Sequence, residues 1–546
     1  MEHETFQPPN EGTWELDTTH TSRPITWFTR SALVSGFPRG FAEGLARYGL
    51  LLGRYDVAVI GGFLYAQRLP FGFGGTATPE QMQARIATSA RAFTEQFWRE
   101  DLARWDEVVK PRAVAAHLAV QAVDPTELPD DELAAHVERC RDHLEAMFEL
   151  HHRYSAPSLM ATGDFLAGAL EWTGATAGEL MGLLRGTSAI STGFATAELD
   201  ALADAVTASE SARAILLSRD DPAALLYSLT TDPGAGPAAQ AYLDAVRYRS
   251  IGYDVGEPSA GELPAMELGA IRAAVAHRKT GPGDDGDASL TAIRSRVPAE
   301  HLAEFDDRLH EARLANRLRD ERATYSDGWA VGLARRALLE AGRRLAARGA
   351  LADPEHAVDA DAAELAALLR GAPGPGADEV AARFRRRTTR TVDDAPPLIG
   401  PPPSPPPLQE ELPELARRAS LAVDAAMANL FAVPDIPNSA TTVRGLAVNT
   451  GVYEGPARLV VDGTDFEHVR QGDVLVTRMT SPYFTVVLPL LGAIVTDRGG
   501  QLSHAAIVAR EYGIPGVVGT REATRLIPDG ARVRVDGTTG EVRLLN

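Results

Sequence analysis

The sequence contains little cysteine and little lysine. Its 546 residues include one cysteine, Cys140, which excludes a framework of disulfide bonds within the chain. The only lysines are Lys110 and Lys279, and neither follows a glycine-rich loop in a GxxxxGKS or GxxxxGKT motif. We therefore expect no P-loop nucleotide site in this chain.

Long apolar runs and an excess of positive charge are also absent. No stretch approaches the roughly 18 consecutive apolar residues of a membrane-spanning helix, and the first residues lack the apolar core of a secretory signal. The chain has 54 Lys and Arg against 74 Asp and Glu, a net charge of -20. Such a charge disfavours nucleic acid and anionic membranes as partners, so we expect a cytoplasmic protein.

The length and the proline distribution predict a multidomain chain. At about 100–200 residues per domain, three or four structural units are expected. Residues 396–407 contain eight prolines in twelve positions, which predicts extended, polyproline-like chain. We divide the chain into an N-terminal tail (1–12), a mainly α region (13–395) and a proline-rich linker that includes a helix (396–445).

Within the α region, residues 277–297 are rich in Gly, Asp and Ser and predict an exposed loop. Apolar residues recur at helical spacing in four segments of that region, 131–154, 197–218, 300–318 and 328–349.

The pattern changes after residue 446. Short β-branched runs are separated by Gly and Asp, and a single helix is predicted from about Ser503 to Tyr512. Residues 446–546 are therefore predicted to form a small α/β domain.

One strand-turn-helix segment in this domain suggests chemistry. A strand ends near Asp497, Gly499 and Gly500 follow, and Ser503 occupies the helix-capping position just before His504. The start of a helix attracts anions, and an imidazole that titrates near neutral pH can accept and release a phosphoryl group. Taken alone, such a histidine is better explained as a buried or capping side chain.

The same segment resembles the swivelling phosphohistidine domain of the phosphoenolpyruvate-utilising enzymes. The resemblance implies that His504 carries the phosphoryl group, that Ser503 assists it, and that Gly499, Gly500, Ala505 and Arg510 bind phosphate. The matching residues are Gly499, Gly500, Ser503, His504, Ala505, Ala506, Ala509, Arg510, Glu511, Gly513, Ile514 and Pro515. Residues 451–460, 472–482 and 535–545 are similar to other landmarks of that domain.

The helical region resembles, more loosely, the acceptor-substrate domain of rifampicin-phosphotransferase-like proteins. The similar segments are 14–26, 41–52, 318–322 and 336–349. The resemblance implies that Arg319 stabilises the transferred phosphoryl group, and Arg322 shares its helix face. An equally good interpretation is a solvated helix surface on which both arginines pair with Asp320 and Glu321.

A base is needed to activate an acceptor hydroxyl, and three histidines are candidates. His20 lies in the N-terminal pattern, whereas His151 and His152 are adjacent on a predicted helix, so at most one of that pair is expected to point inward. Glu149 and His152 share a helix face and form a weak candidate for a metal or acid/base pair. Without a third ligand, we predict no metal site.

The resemblance also indicates which modules to expect elsewhere. Family members that use ATP carry an ATP-grasp module before the acceptor domain, and those that use phosphoenolpyruvate carry a TIM barrel after the histidine domain. Here the acceptor-like pattern begins at residue 14 and the histidine domain ends at Asn546. We therefore expect ATP and Mg²⁺ to be bound by a stand-alone ATP-grasp partner, and no cofactor to be bound by this chain.

Three functions are compatible with the sequence. In the first, His504 carries a phosphoryl group from that partner to a hydroxyl of a small molecule bound in the helical region. In the second, phosphorylation activates the hydroxyl for elimination, which gives a dehydratase. In the third, the chain is a non-catalytic relative that binds a ligand without turnover.

Overall fold

A computed structural model describes residues 6–18, 20–187, 196–276, 285–403, 409–431, 436–461, 463–480, 484 and 488–545. They fall into two compact units. Unit 1 comprises residues 1–160, 252–257 and 322–421, and unit 2 comprises 161–251, 258–321 and 422–546. Both units contain parts of the predicted α region. The predicted limits of that region, residues 13 and 395, and the predicted end of the linker at residue 445 stay predictions.

The chain is mostly helical. Its helices are α1 (Trp27–Arg47), α2 (Pro79–Thr94), α3 (Phe97–Arg104), α4 (Lys110–Gln121), α5 (Asp130–Arg153), α6 (Ser155–Thr173), α7 (Ala177–Gly182), α8 (Thr196–Ala208), α9 (Glu210–Leu217), α10 (Pro222–Thr231), α11 (Gly236–Val246), α12 (Pro264–Ala276), α13 (Asp285–Arg294), α14 (Leu302–Asn316), α15 (Leu318–Thr324), α16 (Asp327–Ala347), α17 (Ala362–Leu369), α18 (Ala377–Thr389), α19 (Glu414–Phe431), α20 (His504–Tyr512) and α21 (Ala523–Leu526). Its strands are β1 (Trp14–Leu16), β2 (Leu52–Ile60), β3 (Phe63–Pro70), β4 (Leu398–Ile399), β5 (Thr442–Arg444), β6 (Leu446–Asn449), β7 (Val452–Val460), β8 (Asp473–Thr477), β9 (Leu491–Thr496), β10 (Gly516–Val518), β11 (Arg532–Asp536) and β12 (Glu541–Leu544).

The four periodic segments are confirmed as mainly helical, with interruptions at Ser209 and at Arg317. The segment 197–218 is divided into α8 and α9 at Ser209, where the backbone is extended. The Ser209 side chain caps α9 by accepting a hydrogen bond from the Ala212 amide. The predicted loop 277–297 is wrong in its second part, because residues 285–294 form α13 and Ile293 of that helix is buried. Residues 277–284 lie outside the described part of the chain.

Unit 1 contains a small antiparallel sheet that helical periodicity did not predict. Its strand order is β2-β3-β1-β4. Gly61 and Gly62 connect β2 to β3 with φ values of 60° and 85°, a conformation that favours glycine in a two-residue hairpin. The start of the predicted linker belongs to this sheet, since Ile399 of β4 pairs with Trp14 of β1. That part of the linker is therefore hydrogen-bonded rather than free, whereas residues 404–408 of the proline tract lie outside the described residues.

The main helix pair of unit 1 depends on small residues. Gly36, Gly40 and Gly44 of α1 lie one turn apart and face the backbone of α5. A Cβ atom at Gly44 would lie 2.6 Å from the Arg153 carbonyl oxygen, and one at Gly40 would overlap the Glu149 carbonyl oxygen. The two helices can approach this closely only where α1 lacks side chains.

Unit 2 combines helices of residues 161–251 and 258–321 with an eight-stranded mixed sheet. The strand order is β5-β12-β11-β7-β8-β9-β10-β6. Strands β7, β8, β9 and β10 run parallel to one another, and α20 connects β9 to β10. Val474, Val476, Ala493, Val495 and Val517 form the centre of its core. The predicted strands of residues 446–546 and the predicted helix are confirmed, and the chain is mostly helical with a C-terminal sheet domain. In the described residues, no helix is long and apolar enough to span a membrane.

We expect Gly40→Ala to lower the free energy of unfolding by about 1–3 kcal/mol, because the added methyl group forces α1 and α5 apart. The gain in helix propensity from Gly to Ala, about 1 kcal/mol, opposes this effect only in part. Urea denaturation measures the change. Gly182→Ala is the matched control, since Gly182 is an exposed residue of α7 with no atom within 4 Å of an added Cβ. Equal stability changes for both variants would contradict the packing argument.

Candidate functional site

The N-terminus of α20 places His504 at the end of a buried parallel strand. Ser503 caps the helix with φ -66° and ψ 156°, and its Oγ accepts from the Ala506 amide at 3.4 Å. Gly513 ends the helix in the left-handed conformation, with φ 66°. The predicted helix, its cap and its end are therefore confirmed. The first amide groups of a helix have no acceptor within it, so they are available to an anion beside His504.

Gly499 allows the chain to turn between β9 and α20. Its φ is +104°, and a Cβ atom there would lie 2.7 Å from the Cβ of Ser503. Both features require glycine, which explains one of the two glycines of the motif. The amide of the second, Gly500, donates to the Leu430 carbonyl oxygen in α19 at 3.0 Å.

A buried arginine holds the loop that precedes His504. Arg510 Nη1 donates to the Gln501 carbonyl oxygen at 2.8 Å, and Nη2 donates to Gln501 Oε1. Gln501 Nε2 in turn donates to the Ala447 carbonyl oxygen at 2.8 Å. Burial lowers the pKa of Arg510 to about 9, so the guanidinium is charged at neutral pH. These bonds make Arg510 a positioning residue for the loop, and its binding of phosphate stays a prediction, as it does for Gly499, Gly500 and Ala505.

The His504 imidazole is buried, and one of its nitrogen atoms takes part in a hydrogen bond. Its Nδ1 lies 3.2 Å from Thr480 Oγ1. Among the described residues, no hydrogen bond joins Nε2 to a side chain or a backbone group. The ring therefore presents Nε2, rather than Nδ1, to a reacting group.

The surroundings of His504 keep the ring neutral. Burial lowers its pKa to about 4; the negative charge of Asp320 acts against this shift, and the positive charge of Arg319 adds to it. Asp320 is itself buried, and Arg319 is half-buried beside it in α15. Because only the neutral imidazole has a free lone pair, His504 is in its nucleophilic form at physiological pH.

Comparison with known proteins agrees with this geometry. The family model of the "PEP-utilising enzyme, mobile domain" matches residues 469–540. This segment belongs to the PEP-utilising enzyme family. The mobile domain thus includes Thr480, Gln501, Ser503, His504 and Arg510.

Three curated relatives share parts of the chain. A rifampicin phosphotransferase of Streptomyces sp is 32% identical over 330 residues, which are 57% of this chain and 35% of that protein. The uncharacterized phosphotransferase YvkC of Bacillus subtilis is 43% identical over 114 residues, 21% of this chain and 14% of that protein. A probable phosphoenolpyruvate synthase of Pyrococcus abyssi is 44% identical over 110 residues, 20% of this chain and 13% of that protein. The chain matches about a third or less of the length of each.

The two predicted arginines have different surroundings. Arg319 belongs to unit 2, where its charge acts on His504 of the mobile domain. Arg322 belongs to unit 1, where its Nη1 donates to the His151 carbonyl oxygen and to Ser155 Oγ, both at 3.0 Å. Both arginines nevertheless belong to α15, three positions apart, so the expected shared helix face is not contradicted. Their roles in phosphoryl transfer stay predictions.

A second group of titratable residues lies in unit 1, and we call it the histidine cluster: Asp17, His20, His151, His152 and Asp327. His20 Nδ1 lies 2.6 Å from Asp17 Oδ2, and His151 Nδ1 lies 2.6 Å from Asp327 Oδ1. The rings of His151 and His152 are 4.6 Å apart, and both are buried. The prediction that at most one of them points inward is wrong, because α5 packs against both α1 and α16 and so buries a wide arc of its surface.

The suggested pair of Glu149 and His152 is also corrected. The Glu149 carboxylate accepts from Arg39 Nε at 3.0 Å and from Arg153 Nη2 at 2.6 Å. Each oxygen of the Glu149 carboxylate is therefore paired with an arginine rather than with His152. No group of three or more His, Cys, Asp or Glu side chains in the described ranges is arranged to hold a metal ion.

Sequence reasoning missed several partners of the predicted residues. Thr480 lies within residues 472–482, which resemble a landmark of the mobile domain, and Asp17 precedes His20 by three residues. Both residues could therefore have been found from the sequence. No sequence pattern indicates the roles of Gln501 and Asp327. Asp327 reaches His151 across 176 positions of the chain, and no local pattern records such a contact.

We expect the His504 ring to stay neutral from about pH 8 to about pH 5 and to take up a proton only near its lowered pKa of about 4. Two-dimensional NMR of protein with ¹⁵N-labelled histidine, assigned with a His504→Asn variant, measures this directly. Exposed His468 is the reference within the same domain. A protonation midpoint near 6.5 for His504 would contradict the described burial.

Proposed function

We propose that this chain is the phosphoryl-carrying and acceptor-binding component of a phosphotransferase. His504 takes a phosphoryl group from a separate ATP-grasp donor protein, which binds ATP and Mg²⁺, and passes it to a hydroxyl group of a small molecule. The observation that carries this proposal is a neutral imidazole at the capped start of a helix in a PEP-utilising mobile domain. The names of the relatives, phosphotransferase and phosphoenolpyruvate synthase, support a phosphoryl-transfer role.

The first half-reaction uses the free nitrogen of His504. With Nδ1–H donating to Thr480 Oγ1, the lone pair lies on Nε2. Nε2 attacks phosphorus, an N–P bond forms, and a P–O bond of the donor nucleotide breaks with its electron pair leaving on oxygen. The amide groups at the start of α20 then stabilise the phosphoryl oxygens, each such interaction contributing about 0.3–1 kcal/mol. Ser503 holds these amides in place as the helix cap.

The second half-reaction returns the imidazole to its neutral form. An acceptor oxygen attacks the phosphorus, an O–P bond forms, and the N–P bond breaks with its electron pair returning to Nε2. Negative charge is concentrated on the phosphoryl group during both steps, and the Arg319 guanidinium is the cation of unit 2 proposed to stabilise it. The buried Asp320, its neighbour in α15, carries a negative charge that acts on His504 in the opposite direction.

A specific observation keeps the dehydratase alternative open. In the histidine cluster, burial lowers the pKa of His20, but the charge and hydrogen bond of Asp17 outweigh this effect and raise it above 6.5. Burial lowers the pKa of both His151 and His152 well below 6.5. An acid and a base side by side suit elimination after phosphorylation. The mass of the product distinguishes the two functions, because a phosphotransferase product retains phosphate and a dehydratase product has lost water.

We expect His504→Asn to reduce phosphorylation of the chain by ATP and the donor protein to background, since it removes the nucleophilic nitrogen. His468→Asn is the matched control, because His468 is exposed and is the only other histidine in residues 446–546. Phosphoprotein gels run under alkaline conditions, which preserve phosphohistidine, measure the labelling.

Labelling that persists in His504→Asn would refute the proposed carrier. A wild-type chain recovered from its host without phosphohistidine, and not phosphorylated by any ATP-grasp protein of that host, would favour a non-catalytic relative.

A further inference from the structure

His504 is covered in the structure, and the proposed carrier role requires it to become exposed. The residue is 7% exposed, and the charges that act on its ring come from Arg319 and Asp320 of α15, outside the mobile domain. A buried imidazole cannot reach a nucleotide that is bound to another protein. A contact between the mobile domain and the helices of unit 2 must therefore open before the first half-reaction.

Two contacts join the mobile domain to α7 and the turn that follows it, and we call residues 177–187 the docking segment. The Gly186 amide donates to both oxygens of the Glu511 carboxylate, at 2.9 Å and 3.0 Å. Gln501 lies against Gly178, where an added Cβ atom would be 3.2 Å from Gln501 Oε1. Gln501 precedes α20 and Glu511 lies near its end, so the docking segment contacts both ends of that helix.

The docking segment is itself held firmly in unit 2. Arg313 Nε of α14 donates to the Leu183 carbonyl oxygen at 2.8 Å, and Asn316 Nδ2 donates to Thr187 Oγ1 at 2.9 Å. One stretch of chain, residues 313–320, thus holds the docking segment and carries the two charges that act on the imidazole. The apolar side chains of the docking segment are buried: Leu180, Met181, Leu183 and Leu184.

The contacts with the mobile domain are polar, and part of them is exposed. Gly186 lies at the surface, and neither it nor Gly178 contributes a side chain. The two sides therefore do not interdigitate at these positions as apolar side chains do in a core. Polar interfaces between parts of one chain allow those parts to move relative to each other. The docking segment is accordingly suited to release the mobile domain without unfolding.

The charges of the two sides are complementary. The Arg185 guanidinium lies beside the C-terminal end of α20, since an added Cβ at Gly513 would be 3.5 Å from Arg185 Nη2. A cation at this end of a helix is favourable, because the last carbonyl groups carry partial negative charge. The docking segment thus offers a cation to the carbonyl end of α20 and a backbone amide to the Glu511 carboxylate.

We propose that the docking segment is a releasable docking surface for the mobile domain, and that Glu511 is the positioning residue that sets how often this surface is occupied. The inference rests on the proposed function and adds a control on its first half-reaction. While Glu511 holds the Gly186 amide, His504 stays covered beside α15 and is withheld from the donor protein. Opening of this contact exposes the imidazole, and renewed docking returns it to Arg319.

Potassium phosphoramidate tests this exposure without the donor protein. It phosphorylates accessible histidines directly: an N–P bond forms at the imidazole, the P–N bond of the reagent breaks, and ammonia leaves. We expect Glu511→Arg to accelerate phosphorylation of His504 at least about tenfold, the effect of losing one hydrogen bond to a charged group. Gly178→Phe should act in the same direction from the other side, because its ring takes the place of Gln501. Mass spectrometry of peptides under alkaline conditions measures the rate, with exposed His468 as the internal reference.

Matched variants control for the size and the charge of the new side chains. Gly182→Phe places the same ring one turn further along α7, where an added Cβ has no atom within 4 Å. Glu454→Arg makes the same charge change at an exposed position of β7. Both should leave the rate at His504 unchanged. Glu511→Gln keeps an oxygen that can accept from the Gly186 amide, so it should have a smaller effect than Glu511→Arg.

Urea denaturation of each variant separates release of the mobile domain from unfolding, and Glu511→Arg alone decides if Gly178→Phe does not fold. An unchanged rate at His504 in Glu511→Arg, equal acceleration in the control variants, or a wild-type His504 that reacts as fast as His468 would overturn the inference. The proposed function fails separately. A chain that no ATP-grasp protein phosphorylates, but in which Glu511→Arg exposes His504 to the reagent, would refute the carrier role and support the docking surface.

Discussion

The hydrogen bonds between Arg510 and Gln501 are the interaction on which the phosphohistidine site depends. The guanidinium is buried and holds both the backbone and the side chain of the loop that leads into His504. Leaving a buried hydrogen-bonding group without its partner costs about 1–3 kcal/mol, and more where that group is charged, as Arg510 is. The loop is therefore fixed before any phosphoryl group arrives, and the helix start is preorganised to receive it.

The chain uses histidine in two contrasting environments. His504 is buried next to a hydroxyl group, and burial dominates its pKa, so it stays neutral. His20 and His151 instead lie against carboxylates, which orient the rings, and the Asp17 carboxylate also raises the pKa of His20. The first environment suits a nucleophile and the second suits proton transfer. The Nδ1 partner is Thr480 for His504 and an aspartate for His20 and His151, and only at His20 does the aspartate outweigh the effect of burial on the pKa.

Much of the site around His504 could be predicted from sequence because its determinants are local. The helix α20 begins at the capping Ser503 and ends at the left-handed Gly513, ten positions apart, and the structure matches both predictions. Helical periodicity does not predict the sheet of unit 1, although Gly61 and Gly62 separate the two strand-like runs that pair in it. The Asp327 partner of His151 and the double burial of His151 and His152 could not be predicted, because tertiary packing alone determines them.

The central claim is that Thr480 and the capped helix leave Nε2 of His504 to carry the phosphoryl group. The most direct measurement is ³¹P and ¹⁵N NMR of the phosphorylated chain, prepared with ¹⁵N-labelled histidine and assigned by comparison with His504→Asn. The account predicts one phosphorus signal coupled through a single bond to Nε2 of His504, with Nδ1 protonated. Phosphorus bonded to Nδ1, or to any residue other than His504, would contradict it.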